Sequence, residues 1–396
     1  MALSPSYFEY QNAVKLLCGE HALDRIADEL RHLGASKPLM LSDAVLAKIG
    51  VTATVSDIMA AEGSPVASLF TDIPVDSSLD VVNRIARLYR EQGCDAVVAV
   101  GGGSVIDTAK GVRLVLSQEK EDILSLSGVE NLRRGRHIPF IVVPTTAGTG
   151  SECTGVAVIR NDAQGVKMEF LSPFVEPDVA VLDVRMTLRL PARTTAATGM
   201  DALVHAIEAC TCLQNNPLSY AHGISAIRLI CRHLVQATQR GDDREARLAM
   251  ALAATQAGIA FSNSMVGAVH AIGHALGGVC HVPHAEAMNI LLPHVLRCNL
   301  SHAAAAYADL LPYMIGWEAA AAIPADKRAE ALIAEVEKLS AALQQLTGLP
   351  RRLSEVGVQE ADFPRIAAGA VNDGALIVNP RSLDEAQVIE ILKQAY

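Results

Sequence analysis

The feature that most constrains the fold of this chain is an alternation of short apolar runs with helical patterns across its first half. The runs that predict strands are PLML (38–41), Val66 to Phe70, AVVAV (96–100), IPFIVV (138–143) and VAVL (179–182). Between them apolar residues recur at helical spacing, as at Leu23, Ile26 and Leu30. Uniformly apolar strands that alternate with helices predict a parallel sheet covered by helices on both faces.

From about Pro191 the pattern changes to long helices rich in alanine and leucine. The segments with helical periodicity are TAATGMDALVHAIEAC (195–210), 222–238, 244–261 and 318–346. At 396 residues the chain is too long for one small core. We therefore expect an α/β domain over residues 1–190 and an all-helical domain over residues 191–396.

The composition excludes several classes of protein. Apolar residues make up 51% and charged residues 19%, which excludes general disorder. A net charge of −10 with scattered basic residues predicts that nucleic acid is not a partner. Residues 248–285 contain no charged residue, but polar residues such as Gln256 and Asn263 interrupt them, so a buried helix is favoured over a membrane span.

The eight cysteines include no CxxC pair, and residues 1–12 show neither a basic n-region nor an apolar h-region. These features favour a reduced, cytoplasmic protein without an export signal.

Two glycine-containing turns follow predicted strands and indicate a nucleotide site. AVVAVGGGSVIDTAK (96–110) reads as strand, glycine turn and helix start, where the backbone can approach a pyrophosphate closely. PTTAGTGSE (144–152) follows the next strand with hydroxyls and glycines. A strand–helix turn without a ligand is the alternative for either segment taken alone. Asp43, after PLMLS, is placed to hold an adenosine ribose or simply to cap a helix.

An acid and several histidines in the second half have the spacing of metal ligands. Asp201 and His205 are four residues apart, as are His270 and His274, and His284 follows. Residues i and i+4 project from one face of a helix, so each pair can direct two ligand atoms at one point. Imidazoles with one carboxylate suit a divalent first-row metal. Spacing leaves open which of His270, His274, His281 and His284 coordinate, and a zincin-like pair of His270 and His274 is one alternative.

These blocks together resemble the iron-containing (group III) alcohol dehydrogenases. The matching blocks, in chain order, are GGGSVIDTAK (101–110), PTTAGTGSE (144–152), GMDALVHAIEA (199–209) and HAIGHALGGVCHVPHAEAMNILLPHV (270–295). The resemblance runs from LCGEHAL (17–23) to VNPR (378–381). It implies an N-terminal Rossmann-like domain, a C-terminal helical domain as in dehydroquinate synthase, and an active-site cleft between them.

The resemblance also implies roles for individual residues. The implied metal ligands are Asp201, His205, His270 and His284. The residues implied to contact the dinucleotide are Asp43, Gly102, Gly103, Ser104, Asp107, Thr145, Thr146, Thr149 and Lys167. His274 is implied to stay off the metal, to line the cleft near the nicotinamide and to relay a proton. Asp76-Ser77-Ser78 stands where family members often carry Asn-Pro-Thr, so Asp76 replaces an asparagine that often contacts the cofactor.

The activity implied by the resemblance is hydride transfer between NAD(H) and a small primary alcohol or aldehyde, assisted by Fe²⁺ or Zn²⁺. A homodimer or larger homo-oligomer is implied as well. Glycerol dehydrogenases, maleylacetate reductases and dehydroquinate synthases share the fold and supply the alternative chemistries. A non-catalytic protein acting through assembly or nucleotide sensing is a further alternative, which the unbroken set of ligand positions disfavours.

Overall fold

The computed structural model describes residues 5–127, 132, 134–164 and 166–396. They form two compact units. One runs from Asn12 to Arg189, and the other combines Leu190–Tyr396 with the N-terminal residues up to Gln11. We call them the α/β unit and the helical unit.

The α/β unit is built on a six-stranded parallel sheet with the strand order β1-β8-β5-β4-β2-β3. The strands of this sheet are β1 (Lys15–Cys18), β2 (Pro38–Leu41), β3 (Ser68–Phe70), β4 (Ala96–Gly101), β5 (Phe140–Pro144) and β8 (Val179–Leu182). The antiparallel hairpin of β6 (Val156–Asn161) and β7 (Val166–Leu171) forms a second, small sheet. The predicted parallel sheet is confirmed.

Alternate residues of the central strands enter two separate cores. Val97 of β4 and Phe140 of β5 lie in one core, and Val98 and Ile141 lie in the other. Because successive strand residues point to opposite faces, strands without polar residues require helices on both sides. Each such fully buried aliphatic side chain contributes about 1.5–3 kcal/mol relative to an exposed one.

In the described part of the α/β unit, five α-helices cover the sheet or connect its strands. They are α1 (Ile26–His32), α2 (Ala44–Lys48), α3 (Val51–Ala61), α4 (Leu79–Glu91) and α5 (Gly103–Ser117). Helices α4 and α5 contribute to the core that contains Val97, and α1 and α3 contribute to the core that contains Val98.

Three strands, β1, β6 and β7, were not predicted from the sequence. β1 is a largely exposed edge strand that pairs with β8, and β6 alternates between buried and partly exposed residues. A search for uniformly apolar runs selects central strands, so it passes over an edge strand and an amphipathic hairpin.

The helical unit consists of packed helices connected by turns. The helices are α6 (Ala192–Thr211), α7 (Pro217–Gln239), α8 (Arg244–Ser262), α9 (Ala268–Cys280), α10 (His284–Ile315), α11 (Trp317–Ala321), α12 (Arg328–Thr347), α13 (Phe363–Val371) and α14 (Glu385–Gln394). Helix α6 packs on α7, α8 and α10, and α9 packs on α10 and α13. The start of α7 is determined locally, because Asn216 and Ser219 form a capping box around Pro217.

The prediction of a single helical segment over residues 318–346 was wrong. The pattern over 318–346 is divided between α11 and α12, with Pro324 in the gap between them. Proline lacks the N–H that a helix interior needs and disfavours helical geometry in the residue before it. The uncharged stretch 248–285 falls on α8 and α9, and within the described residues no helix combines the length and hydropathy needed to cross a membrane.

Candidate functional site

Three neighbouring strands bring the predicted nucleotide-binding turns to one edge of the sheet. Strand β4 pairs with β5 on one side and with β2 on the other, all in parallel. Asp43 follows β2, the glycine turn follows β4, and Thr145 to Thr149 follow β5. Because parallel strands end at the same edge, these segments share the carboxyl edge, where open α/β sheets bind ligands.

The two glycine-containing turns pack directly against each other. A Cβ on Gly102 would lie 3.1 Å from the Thr146 side chain, and one on Gly103 would lie 2.9 Å from Thr149 Cγ2. The backbone N–H of Thr145 donates to the carbonyl of Gly101 over 3.0 Å. Helix α5 begins at Gly103 without a side-chain cap. An uncapped helix N-terminus beside glycine backbone suits an anion such as a pyrophosphate.

Asp43 acts as a helix cap in the structure. Its Oδ1 accepts a hydrogen bond of 2.8 Å from the backbone N–H of Leu46, at the start of α2. Such a cap stabilises a helix by about 1 kcal/mol. The bond orients the side chain at the end of β2, so the cap and a contact with a ribose are compatible.

Both carboxylate oxygens of Asp107 accept hydrogen bonds from other residues of the protein. One carboxylate oxygen accepts from Ser151 Oγ over 2.5 Å and the other from the backbone N–H of Val158 over 3.0 Å. The fully buried Lys110 donates to Ser151 Oγ, to Thr154 Oγ1 and to the carbonyl of Val156, over 2.7–2.9 Å. Asp107 and Lys110 thus fix the segment that follows PTTAGTG.

Lys167 pairs with the residue that departs from the family pattern. Its Nζ lies 2.7 Å from Asp76 Oδ1, and the backbone N–H of Asp76 donates to Ser104 Oγ over 3.2 Å. Asp76 has φ of 53°, a left-handed conformation that asparagine and aspartate tolerate better than most residues. Aspartate therefore keeps the turn geometry and adds a charge beside Lys167.

Helices α6, α9 and α10 of the helical unit bring three of the four predicted metal ligands into one group of donor atoms, and His205 lies beside that group. Asp201 and His205 lie one turn apart on α6, His270 lies on α9, and His284 is the first residue of α10. Donor atoms of Asp201, His270 and His284 all lie within 4.8 Å of one another. The His205 ring stacks on Phe261 and lies 4.4 Å from the His270 ring between centroids, with its Nδ1 3.8 Å from Asp201 Oδ1.

The chemistry of these donors fits a divalent metal ion. Asp201 Oδ1, His205 Nδ1 and His270 Nε2 are buried, and none of them has a hydrogen-bond partner among the residues that the structure describes. Buried polar atoms are nearly always hydrogen-bonded, so three such atoms in one cluster indicate a missing partner. A cation that accepts their lone pairs would supply it.

Burial and mutual proximity hold the cluster in ligand-competent protonation states. Burial lowers the pKa of His205 to about 3, and it lowers the pKa of His270 well below the usual range. Burial opposes ionisation of Asp201, but His205 and His284 outweigh it and lower the pKa of that carboxyl. Neutral imidazoles and an ionised carboxylate are the forms that bind metals.

His274 belongs to the same histidine cluster but has a different partner. Its Nδ1 lies 2.9 Å from Asp373 Oδ2, and its ring stacks on His284 with centroids 5.7 Å apart. Asp373 also accepts the N–H of Ala375 over 2.8 Å. His281, left open by the spacing, ends α9 in a left-handed conformation.

Sequence reasoning missed Glu208, Asp373 and Lys110. Glu208 stands seven residues after Asp201 in GMDALVHAIEA, so helical spacing already places it on the same face of α6 as Asp201 and His205. Asp373 lies 99 residues beyond His274 in the chain, and no local pattern links the two. Lys110 ends the motif GGGSVIDTAK, and a lysine among apolar helix positions requires buried partners.

The chain matches family models over most of its length. A model described as "Iron-containing alcohol dehydrogenase" matches residues 13–184, and "Fe-containing alcohol dehydrogenase family, C-terminal" matches residues 195–396. The chain belongs to the iron-containing alcohol dehydrogenase family. This confirms the resemblance, and membership makes the chain a metal-dependent alcohol or aldehyde oxidoreductase.

Relatives in this family align over nearly the whole chain. A 1,3-propanediol dehydrogenase of Citrobacter freundii is 38% identical over 381 residues, 96% of each chain. An NAD-dependent methanol dehydrogenase of Bacillus methanolicus is 34% identical and covers 95% of this chain and 97% of its own. The crystal structure of a 1,3-propanediol oxidoreductase is 35% identical and superposes with a TM-score of 0.93, over 98% of this chain and 100% of its own.

Proposed function

We propose that this iron-containing alcohol dehydrogenase transfers hydride between NAD(H) and small primary alcohols, diols or hydroxy acids and their aldehydes. Similarity to a 1,3-propanediol dehydrogenase and an NAD-dependent methanol dehydrogenase supports the substrate class and the cofactor. The sequence has scattered basic residues and no basic cluster suited to a phosphorylated or polyanionic substrate.

The observation that carries the proposal is the group of buried acceptor atoms in the helical unit. Asp201 Oδ1, His205 Nδ1 and His270 Nε2 have no hydrogen bond among the described residues, and His284 Nε2 lies 3.5 Å from Asp201 Oδ1. The proposed metal ligands are Asp201, His205, His270 and His284. A His₃Asp set binds Zn²⁺ more tightly than Fe²⁺, so the metal that copurifies need not be the metal that supports turnover.

A divalent ion at these residues supplies Lewis acidity, which for water lowers the pKa from 15.7 to about 7. The Nδ1 of His274 lies 2.9 Å from Asp373 Oδ2, and this contact orients the imidazole, a group that can take up and release a proton near neutral pH. We assign His274 this role of proton relay rather than that of a ligand. Its ring is supported by stacking on His284.

The proposed dinucleotide site uses the carboxyl edge of the sheet. The N-terminus of α5 and the glycine turn hold the pyrophosphate, and Asp43 accepts the ribose hydroxyls. The residues we assign to the dinucleotide are Asp43, Gly102, Gly103, Ser104, Thr145, Thr146, Thr149 and Lys167, with Asp107 acting through Ser151 on the second turn.

We further propose that the enzyme is cytoplasmic and self-associates. A chain with 51% apolar and only 19% charged residues has a low charge density for the surface of a lone monomer. Light scattering at micromolar concentration tests this, and a monomeric mass would refute it.

The test of the activity is a reconstitution screen. Protein stripped of metal is loaded with Fe²⁺ or Zn²⁺ and assayed with NAD⁺ and primary alcohols, diols and hydroxy acids, and with NADH and the aldehydes. We expect metal-dependent turnover of short primary alcohols. Turnover confined to sugar phosphates, to glycerol's secondary hydroxyl, to maleylacetate or to a non-redox elimination would overturn the proposal.

A further inference from the structure

The buried carboxylate of Glu208 caps the N-terminus of helix α9. Glu208 lies on α6 and is 5% exposed. It accepts hydrogen bonds from the backbone N–H of Gly267 over 2.9 Å and from that of Val269 over 2.7 Å. Gly267 itself offers no side chain to cap α9. The carboxylate therefore satisfies N–H groups that the helix leaves unpaired, at the end where its dipole favours a negative charge.

A side chain at position 267 would prevent this approach. A Cβ built on Gly267 lies 3.0 Å from Glu208 Oε1 and 3.1 Å from Asn379 Oδ1. Asn379 accepts the next N–H of the same helix, that of Ala268, over 3.2 Å. Two side chains thus cap the N-terminus of α9. Glu208 also contacts His270, and Asn379 does not.

The third partner of Glu208 is the ring of His270, whose Nδ1 lies 2.6 Å from Oε2. An ionised Glu208 that accepts from two backbone N–H donors also accepts from the ring, which favours the tautomer with the hydrogen on Nδ1. That tautomer leaves the lone pair on Nε2. His270 Nε2 is the buried atom without a hydrogen bond in the cluster of Asp201 and His284.

We propose that Glu208 is a positioning residue that holds His270 in the tautomer and orientation in which Nε2 binds the metal. This inference rests on the proposed metal site and adds a residue to which that proposal gives no role. A carboxylate on the far nitrogen of a ligating histidine fixes the ring and raises its basicity, and losing it costs about 10–100-fold in metal affinity. Because Glu208 also caps α9, it links the ligand directly to the helix that carries it.

Glu208→Gln is the test. The amide keeps the size of the side chain, but its N–H₂ group must face one of the N–H groups that the carboxylate accepts. In one orientation the amide N–H₂ faces His270 and favours the tautomer that blocks Nε2. In the other it faces Val269, and the charge opposite the ring is lost. The dissociation constant for Zn²⁺ alone is measured by competition with a chromophoric chelator, and the visible spectrum of the Co²⁺-loaded protein reports the geometry of the site.

The matched control is Asn379→Ala, which removes a cap from the same helix without touching a proposed ligand. We expect Glu208→Gln to weaken Zn²⁺ binding about 10–100-fold and to change the Co²⁺ spectrum, while Asn379→Ala lowers the melting temperature and leaves both readouts unchanged. Wild-type affinity in Glu208→Gln, or equal weakening in both variants, would overturn the role of Glu208. Wild-type protein that binds no Zn²⁺ would instead overturn the metal site itself.

A second measurement keeps the inference testable if Glu208→Gln does not fold. In zinc-loaded wild-type protein labelled with ¹⁵N-histidine, His270 should carry a hydrogen-bonded proton on Nδ1 that exchanges slowly with solvent. Nuclear Overhauser contacts with the N–H of Gly267, which donates to the same Glu208 oxygen, assign this proton to His270. A His270 ring with its proton on Nε2 would contradict the proposal.

Discussion

His270 and His274 lie one turn apart on α9, yet each ring presents Nδ1 to a different carboxylate. His270 faces Glu208 on α6 over 2.6 Å, and His274 faces Asp373 over 2.9 Å. His270 is buried within the group of donor atoms, whereas the side chain of His274 is 24% exposed. Two histidines at i and i+4 thus have different carboxylate partners, which the spacing alone does not reveal.

The first prediction separates the proposed ligands from His274. Replacement of Asp201, His205, His270 or His284 by alanine should abolish both bound metal and turnover, because each change removes one of four protein ligands. His274→Ala should keep roughly stoichiometric metal and lose turnover. Elemental analysis of His274→Ala beside His284→Ala decides the assignment. Loss of metal from the first with retention by the second would reverse it.

The second prediction concerns the support of His274. Asp373→Asn should retain metal but lower kcat by about tenfold or more, because the amide no longer provides a charge to orient the ring and favour its protonated form. Asparagine still caps the turn, since its Oδ1 can accept the N–H of Ala375 as Asp373 does over 2.8 Å. A variant with the kcat of the wild type, or one that loses metal, would contradict this role.

The α/β sheet was predictable because its central strands are uniformly apolar. PLML and VAVL coincide with β2 and β8. A strand that is buried on both faces needs apolar residues at every position, so it appears in the sequence as an unbroken apolar run. β1 is largely exposed and pairs with β8, which is distant in the chain, and the hairpin of β6 and β7 carries a mixed pattern. Local pattern therefore identified the sheet and its edge strand β3, but not the edge strand β1 or the hairpin.

In the candidate site, too, contacts within one helix were predictable and contacts between elements were not. The pairs Asp201–His205 and His270–His274 are visible as helical spacings, and the structure brings three helices together around them. The partners Glu208 and Asp373 are determined by how α6, α9 and the turn after α13 pack, which spacing within one helix does not report.

The third prediction separates the two roles of Asp43. The enzyme should prefer NAD(H) to NADP(H), because the carboxylate would repel a 2′-phosphate. Asp43→Gly and Asp43→Ser should both shift the kcat/KM ratio towards NADP(H) by about tenfold, or about 1.4 kcal/mol. Serine keeps a cap for α2, so the melting temperature of Asp43→Ser should stay close to that of the wild type. Equal kcat/KM for both cofactors in the unmodified enzyme would reject the assignment.

The fourth prediction is a pH dependence of stability at Asp183, which follows β8. Its side chain is fully buried, and it accepts the backbone N–H of Leu23 over 3.1 Å and an ion-paired hydrogen bond from Arg185 over 2.7 Å. Burial alone would raise the pKa of this carboxyl, but the bonds from Arg185 and Leu23 outweigh burial and lower it below 3.8. The folded state therefore binds the proton more weakly than the unfolded state does.

A lowered pKa means that the stabilisation is fully present above about pH 4 and is lost as the pH falls through the folded-state pKa. Asp183→Asn should thus reduce the free energy of unfolding by about 2 kcal/mol at pH 7, and the gap to the wild type should narrow below pH 4. Hydrogen exchange of peptides from β8 measures this within the α/β unit, and exposed Asp57→Asn on α3 is the control, expected within about 0.5 kcal/mol of the wild type. A gap that stays constant from pH 7 to pH 3 would show that Asp183 acts through packing rather than through its charge.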